Sequence, residues 1–360
     1  MNRAWALGML LIPPLSIASA ADSGLAKSGA SFLNYSVGAR ALAMGEAQTA
    51  VTPEDATGFY SNPAALGFFD KPSFATTSGA LSYDRALYFA GASLPFYWEM
   101  GEGFSMKARQ TEEESTGEQK EFLVETPEKR LVVSAGATFF RIDNIEARSD
   151  FGDPTGTLQD IERAYYVSFA ILAYKNLSFG GTAKMLRQSI DSASAKATTG
   201  DAGVMYELPA FKIGQIDLSF VARDFGSDLK WTVDDPTLHT QYTYTEPIVS
   251  KYIAGAAYTT PTGKWMLALD GVKGESQQPQ LHTGLEWRAD DHFKLRLGSN
   301  AYDPTLGFGF AWPLKSMDLK FDYAFQYSLN NLQSPHWFTL SLNFLPPGFS
   351  PERTASSKHL

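Results

Sequence analysis

The stretch Met317-Asp-Leu-Lys-Phe-Asp-Tyr-Ala-Phe-Gln-Tyr-Ser328 alternates between apolar and polar side chains over most of its length. One set of alternate positions is Met317, Leu319, Phe321, Tyr323, Phe325 and Tyr327, and the intervening set includes Asp318, Lys320 and Asp322. A helix would scatter these charges around its circumference, whereas a β-strand separates the two sets onto opposite faces. The stretch therefore predicts a β-strand with one apolar and one charged face.

The same period of two recurs from about residue 72 to the end of the regular pattern at residue 344. Fourteen segments are predicted as strands: 72–83, 85–95, 131–142, 163–174, 177–190, 197–208, 216–226, 248–259, 264–273, 280–288, 293–301, 306–313, 317–328 and 336–344. A strand that crosses a membrane needs about 9–11 residues, which is close to the length of most of these segments. An even number of such strands predicts an all-β fold, a 14-stranded antiparallel transmembrane β-barrel.

The composition agrees with exposed alternating strands. The 360 residues contain no cysteine, only 19% charged residues and 13% aromatic residues, and the net charge is −9. The mean hydropathy of −0.19 is too polar for a bundle of membrane helices. No run of Lys and Arg is long enough to bind a phosphate backbone, so we expect no nucleic-acid partner.

The first 20 residues have the pattern of a secretory signal peptide. Arg3 supplies the positive charge, an apolar stretch follows, and Ala18-Ser19-Ala20 gives a cleavage site of small residues. We therefore expect cleavage near Ala20 and location in a cell outer membrane of the Gram-negative type. The predicted domains are the signal peptide at 1–20, an N-terminal hatch or plug at 21–71, the barrel at 72–344 and a periplasmic tail at 345–360.

Connector lengths and aromatic positions are consistent with a membrane barrel, with a soluble β-protein as the alternative. Short connectors after even strands, such as 175–176 and 314–316, contrast with predicted polar loops at 146–162 and 226–247. The charged insertion at 96–130 breaks this rule, so it is either a periplasmic element or a sign that the strand count is wrong by one. Aromatic residues near strand ends are predicted to form the interfacial girdles: Tyr83, Trp265, Trp287, Trp312, Tyr327 and Trp337.

The polar faces of the strands are predicted to line the lumen and to carry charges of both signs. These lumen charges are Lys184, Asp270, Glu286, Arg288, Lys294, Arg296, Asp318, Lys320 and Asp322. Residues 22–71 do not alternate and are rich in small side chains, which favours a plug inside the lumen over a lid across one end.

Because an unpaired buried ion is costly, the charges of this plug should pair with the wall. Arg40 is predicted to pair with Asp318, Asp322 or Asp270. Glu54 or Asp55 is predicted to pair with Lys294, Arg296 or Lys320. Thr52-Pro53-Glu54 is predicted to begin a helix, and Asn62-Pro63 marks a turn or helix boundary.

Three motifs in this segment resemble the N-terminal signature of the PorV/PorQ family of outer-membrane proteins, which is related to FadL-type long-chain fatty-acid transporters. They are Gly38–Gly45 (GARALAMG), Glu54–Ala56 (EDA) and Tyr60–Leu66 (YSNPAAL). The resemblance implies a fourteen-stranded barrel whose hatch of short helices carries the motif residues Gly38, Arg40, Gly45, Glu54, Asp55, Asn62, Pro63 and Ala64.

Two functions are compatible with this resemblance. One is a secretion-associated barrel, type IX-like, that binds secretion-system or cargo proteins, and the other is a FadL-like channel for hydrophobic molecules such as long-chain fatty acids. Outer-membrane lipid is the expected surrounding in both cases. The five histidines are scattered and no catalytic constellation is evident, so the chain is not expected to be an enzyme or to hold a metal or another cofactor.

Overall fold

A computed structural model describes residues 29–99, 103–105, 129–149, 151–209, 212–235, 240–275, 278–301, 303–328 and 334–345. The predicted signal peptide and most of the predicted tail lie outside these residues. The strands are β1 Ser73–Leu81, β2 Arg85–Glu99, β3 Gly103–Ser105, β4 Lys129–Arg148, β5 Pro154–Tyr174, β6 Leu177–Ile190, β7 Ala193–Glu207, β8 Gln215–Gly226, β9 Leu229–Asp235, β10 Thr240–Glu246, β11 Lys251–Thr259, β12 Trp265–Gly274, β13 Gln280–Arg288, β14 Phe293–Asn300, β15 Pro304–Pro313, β16 Met317–Gln326 and β17 His336–Phe344.

Fourteen of these strands form a closed antiparallel barrel, which confirms the predicted fold class. The wall consists of β1, β2, β4 to β8 and β11 to β17, each paired with its neighbour along the chain. Closure comes from the pairing of β1 with β17, which sets Ser73 opposite Asn343 and Ala80 opposite His336. β3, β9 and β10 extend the sheet beyond this ring.

Burial in this barrel is the reverse of that in a soluble β-protein. On β17, Phe338 and Leu340 are 43% and 44% exposed on the outside, while Thr339 and Ser341 are buried inside. An antiparallel sheet in water would turn its apolar face inward. Apolar side chains outside and polar side chains inside are the arrangement of a barrel surrounded by lipid.

The two ends of the barrel differ in their connectors. One end, called here the short-turn end, has tight turns such as 175–176 and 314–316, and β1 begins and β17 ends there. The other end, called the hairpin end, carries the extensions of β4 and β5 and the strands β9 and β10, but its connectors at 82–84 and 191–192 are short. The predicted asymmetry therefore holds only in part at either end, because β2 ends and β4 begins at the short-turn end, on either side of the long insertion predicted at 96–130.

Two predicted polar loops at the hairpin end contain strands instead. β4 and β5 continue to a turn at 149–153, so most of the expected loop at 146–162 is a two-stranded ribbon. The loop at 226–247 contains β9 and β10, and β9 pairs with the outer end of β7. Both loop predictions were wrong because these strands carry mostly polar side chains on both faces, so they lack the alternation of apolar and polar residues that identifies the other strands.

The insertion at 96–130 lies between the second and third wall strands, so the strand count was right. β2 reaches Glu99 and β4 begins at Lys129, and between them only β3 falls within the described residues. The rest of this insertion lies outside the described residues.

The segment from Gly29 to residue 71 runs through the lumen and fills it. It contains a 3₁₀ turn at Ser31–Asn34, helix α1 at Ala39–Ala43, helix α2 at Gly58–Ser61 and a 3₁₀ helix at Pro63–Phe68. Gly29 donates to the carbonyl of Pro247 at the hairpin end, and Lys71 pairs with Asp318 at the short-turn end. We refer to residues 29–71 as the hatch.

The core of the molecule is the contact between the hatch and the inner wall, where Phe32, Leu42, Phe59 and Leu66 are buried. Trp337 also faces this core and is 1% exposed, so its predicted place in an outer aromatic girdle is wrong. Its ring lies over Gly79 of β1, which leaves the room for it. No helix in the described part of the chain is long and apolar enough to span a membrane.

Candidate functional site

Glu54 is the centre of a cluster of charges at the short-turn end of the lumen. Its carboxylate contacts the ammonium group of Lys294. It also lies 3.2 Å from Lys320 Nζ and 3.4 Å from Arg40 Nη2. Its backbone carbonyl accepts hydrogen bonds from Lys320 Nζ and, at 2.8 Å, from Asn343 Nδ2. The hatch is thereby tied to β14, β16 and β17 at one point.

The electrostatic surroundings of Glu54 favour its charged form. Burial alone would oppose ionisation, but Arg40, Lys320 and Lys294 together hold the pKa of this carboxyl well below its usual value. Glu54 is therefore an anion at neutral pH, and the contact with the wall is ionic.

A second row of ion pairs continues from Arg40 into the wall. Arg40 Nε donates to Glu286 Oε2 at 3.0 Å, and the same oxygen accepts from Arg296 Nε at 2.8 Å. Arg296 Nη1 donates to Asp322 Oδ1 at 2.5 Å. Arg296 and Glu286 are buried, so each charge is stabilised by its ion-pair partners and not by water.

The predicted pairing of Glu54 with Lys294 and Lys320 is confirmed, but two other predicted pairings are wrong. Arg40 pairs with Glu286 and Glu54, because each of its three predicted partners is engaged elsewhere: Asp318 with Lys71, Asp322 with Arg296, and Asp270 with backbone amides. Asp55 makes no ion pair with the predicted cations; its carboxylate accepts from the amide and hydroxyl of Thr57.

The helix predicted to begin at Thr52-Pro53-Glu54 is also wrong, because α2 begins at Gly58. Asn62-Pro63 is a helix boundary, as predicted. The Asn62 side chain accepts from the amide of Ala64 at the start of the 3₁₀ helix and donates to the carbonyl of Thr49 at 2.7 Å. Asn62 therefore joins the two halves of the hatch.

Asp270 acts as a hydrogen-bond acceptor for the hatch. Its Oδ2 accepts from the amides of Gln48 and Thr49 at 3.0 Å each, and its Oδ1 accepts from the Thr49 hydroxyl. Charge-assisted bonds of this kind are shorter and stronger than neutral ones. This side chain fixes the middle of the hatch against β12.

Gly45 brings the hatch backbone into direct contact with the wall. Its φ of +61° lies in the left-handed region, and a Cβ at this position would collide with the backbone of Thr283 and Ser299. The wall is thin at the same place, because Gly284 and Gly298 face Met44 and Gly45. Gly38, by contrast, precedes α1 with an ordinary extended backbone.

Lys184 lies outside the Glu54 cluster, on the opposite part of the wall. Its ammonium is 2.7 Å from Asp201 Oδ1 and 2.6 Å from Asp224 Oδ1, and all three side chains are buried. A register shift between β7 and β8 beside Asp201, with Asp224 at φ 58°, turns Arg223 and Asp224 towards the lumen. Sequence reasoning missed Asp224 because the bulge breaks the alternation on β8, whereas Asp201 keeps the inward alternation of β7 and could have been found from it.

Each predicted lumen charge can now be placed. Glu286, Lys294, Arg296, Lys320 and Asp322 join the Glu54 and Arg40 cluster, and Arg288 lies at its edge, with Nη2 4.0 Å from Glu54 Oε1. Asp318, Asp270 and Lys184 bind separately, as described above. The ion pairs described above between the hatch and the wall therefore lie on β13 to β17.

The opposite side of the lumen, formed by β2 and β4 to β6, carries an apolar cluster where it meets the hatch, beside buried polar groups such as Lys184. Phe32 and Tyr35 stack on Phe140 with ring centroids 6.3 and 5.7 Å apart. Deeper in the lumen, Phe59 packs between Phe89 and Tyr166 at 5.9 Å from each. We call this surface the apolar wall: Leu87, Phe89, Val132, Phe140, Tyr166 and Leu186.

A cleft of about 260 Å³ opens beside the hatch at the short-turn end. Val51–Glu54 form one side of it, and the wall residues around it include Asp217, Thr259, Met266, Glu286 and Arg288. Among the residues that the structure describes, no group of three His, Cys, Asp or Glu side chains could hold a metal ion.

Several solved structures are similar to this chain, and the three named below share 10–12% sequence identity with it. No family model matches the chain, and no curated protein matches it. A monoaromatic hydrocarbon channel, CymD, aligns with a TM-score of 0.49 and 12% identity over 86% of this chain and 96% of its own. The toluene transporter TodX of Pseudomonas putida aligns with a TM-score of 0.47 and 12% identity over 84% and 96%.

A FadL homologue from Pseudomonas aeruginosa aligns with a TM-score of 0.45 and 10% identity over 85% of this chain and 97% of its own. None of these three is described as a PorV/PorQ protein. Similarity at this level leaves the cargo of the present chain to be inferred from its own residues.

Proposed function

We propose that this chain is a hatch-gated outer-membrane channel for small hydrophobic molecules. The observation that carries the proposal is the unequal attachment of the hatch to the two sides of the lumen. Ion pairs and charge-assisted hydrogen bonds hold it to β12–β17, whereas its contacts with the apolar wall, around Phe89, Phe140 and Tyr166, are mainly non-directional.

This asymmetry suggests where a passage would open. Ionic contacts are geometrically demanding, while apolar contacts can be exchanged for contacts with an apolar ligand. A hydrophobic molecule entering along Phe140 and Leu186 would replace contacts with Phe32 and Tyr35. The polar half of the hatch would stay in place during this exchange.

Orientation follows from the connectors. In outer-membrane barrels short turns face the periplasm and longer segments face outward. The short-turn end, with the Glu54 cluster, is accordingly assigned to the periplasm, and the ribbon of β4 and β5 to the exterior. A signal peptide at 1–20 and the hatch boundary near residue 71 are part of the same proposal.

The secretion-associated role implied by the PorV/PorQ resemblance is the less supported reading. A partner-binding barrel needs no apolar wall inside the lumen, because its partners would meet the rim. The buried aromatic side chains at Phe89, Phe140 and Tyr166 favour passage of an apolar molecule instead.

Uptake of labelled oleate tests the proposal in a strain that lacks the gene. We expect uptake to fall in this strain and to return with the wild-type gene. Phe140→Asp should not restore it, because a charge in the apolar wall raises the cost of entry, whereas Phe140→Leu should restore it. Heat-modifiable migration on SDS gels would show that both variants fold; equal uptake with and without the gene would contradict a channel function.

A further inference from the structure

A row of four cations crosses the outside of the barrel near the hairpin end. Arg163 on β5 stands directly opposite Arg187 on β6, and Arg187 stands opposite Lys196 on β7. Lys196 in turn stands opposite Lys230 on β9. We call these four residues the cation row.

The side chains of the cation row face away from the lumen. The residues that precede the four cations along the chain are all buried on the inner face: Glu162, Leu186, Ala195 and Leu229. Successive side chains of a strand alternate between its two faces, so the cations lie on the outer face. Arg187, Lys196 and Lys230 are exposed, and Arg163 is partly exposed.

The cation row has no counterion within the described part of the chain. None of its four side chains makes an ion pair or a side-chain hydrogen bond there. Asp228 and Asp234 lie on either side of Lys230 in the sequence, but neither is within ion-pair distance of the row; the Asp234 carboxylate accepts from Gln241 at 2.7 Å.

This arrangement is unfavourable without a ligand. Like charges directly opposite each other on neighbouring strands repel, and Arg187 has a cation opposite it on both sides. An anionic group placed over the row would relieve this repulsion. Arginine binds phosphate in a bidentate geometry, and lysine binds it as a point charge.

The cation row marks the edge of the lipid-facing surface. The next outward pair towards the short-turn end is Tyr165 opposite Met185, which are 41% and 51% exposed. The next outward pair towards the hairpin end is Ser189 opposite Ser194. In an outer-membrane barrel the edge of the apolar band lies at the level of the lipid headgroups.

The cations are confined to one sector of the barrel. Within the described residues, the outward positions of β13 to β17 hold no lysine or arginine; their charged side chains face the lumen. A general need for a charged rim would place cations on every sector. The row on β5, β6, β7 and β9 therefore indicates a local binding site.

The width of the row sets the number of anionic groups in the ligand. From β5 to β9 there are three steps between neighbouring strands, through β6 and β7. At about 4.8 Å per step the row is about 14 Å wide. One phosphate group spans one such step, so two phosphate groups are needed to contact all four cations.

We propose that the cation row binds the headgroup of an outer-leaflet lipid that carries two phosphate groups, with the acyl chains of the lipid lying on the apolar band along Tyr165 and Met185. The hairpin end is assigned to the exterior by the orientation proposed above. Binding of this lipid does not depend on passage of a hydrophobic molecule through the lumen.

Native mass spectrometry of the full chain in a nonionic detergent tests the site, with lipid A, a glycolipid with two phosphate groups, as the probe. We expect one lipid A per barrel, with monophosphoryl lipid A binding about tenfold more weakly because it lacks one set of charge-assisted contacts. Phosphatidylcholine should not bind, and inorganic phosphate at the same concentration should not displace lipid A. Equal binding of the three lipids, or displacement by inorganic phosphate, would overturn the proposal without bearing on oleate uptake.

Two variants with the same change in net charge assign the site. One replaces all four residues of the cation row by glutamine and should lose the preference for lipid A. The matched control replaces four exposed lysines in the connectors of the short-turn end by glutamine and should keep it: Lys175, Lys212, Lys264 and Lys315. An equal effect of the two sets would overturn the assignment.

Thermal unfolding separates ligand binding from a structural role of the row. Arg187→Gln alone should weaken lipid A binding about tenfold. Without lipid it should unfold at a temperature no lower than the wild type, because a repulsive charge has been removed. Lipid A should raise the unfolding temperature of the wild type more than that of Arg187→Gln. An equal rise in both proteins would contradict binding at the cation row.

Discussion

Neutralising Glu54 should release the hatch without unfolding the barrel. Glu54→Gln keeps the shape of the side chain but removes the charge that faces Lys294, Lys320 and Arg40. Breaking a fully buried ion pair costs about 3–5 kcal/mol. The Glu54 side chain is 18% exposed and Arg40 keeps Glu286, so we expect about 2–3 kcal/mol here.

A single cysteine measures this release, because the chain has none of its own. Ala47 of the hatch is fully buried, so Ala47→Cys should react with a maleimide only when the hatch opens. If labelling follows the open population, 2–3 kcal/mol corresponds to a rise of about 30- to 140-fold in rate. Glu146→Gln, which removes an exposed pair with Arg148, is the control and should change the rate by less than about fivefold. A rate unchanged by Glu54→Gln would refute the reasoning.

Three further perturbations test the contribution of the hatch and that of the barrel wall independently. Because the pKa of Glu54 lies below its usual value of 4.5, the ion pairs of Glu54 stabilise the closed hatch fully above pH 4.5, and this stabilisation is lost as the pH falls below it. The open probability in planar bilayers should therefore rise below pH 4.5 in the wild type, and rise less in Glu54→Gln. Gly45→Val should raise the labelling of Ala47→Cys while heat-modifiable migration persists, because the new side chain collides with β13 and β14; unchanged labelling would show that the hatch does not pack there. Leu340→Arg on the lipid face should cost about 2–4 kcal/mol of barrel stability in a urea titration, against about 0–1 for Tyr83→Arg at the rim; equal costs would argue against a lipid-facing Leu340.

The barrel could be predicted from the sequence because alternation is a local signal. In Met317–Ser328 the polarity of most side chains indicates which face of the strand they occupy. The topology then follows because each strand pairs with the strands before and after it in the chain. Trp337 was assigned to the outer girdle by its residue type, although it shares the inward face of β17 with Thr339 and Ser341. The alternation therefore places it inside, and Gly79 of β1 provides the space for its ring.

The candidate site was less predictable, because its contacts join residues far apart in the sequence. Glu54 and its cations could be matched by charge alone, but the choice of Glu286 for Arg40 depends on the depth at which α1 sits in the lumen. The inward position of Asp224 depends on a bulge that the alternation does not reveal, although Asp201 follows the alternation of β7. The apolar wall was hidden because its residues are separated by small and polar ones along each strand.

The central claim is that the hatch closes the lumen, and single-channel conductance in planar bilayers tests it most directly. The wild-type chain and a variant lacking residues 29–66 are compared after heat-modifiable migration has shown that both are folded. We predict rare, brief openings for the wild type and a large, persistent conductance for the variant, since the hatch fills the space between the apolar wall and the charges of β12–β17. Equal conductance of the two folded proteins would contradict the account.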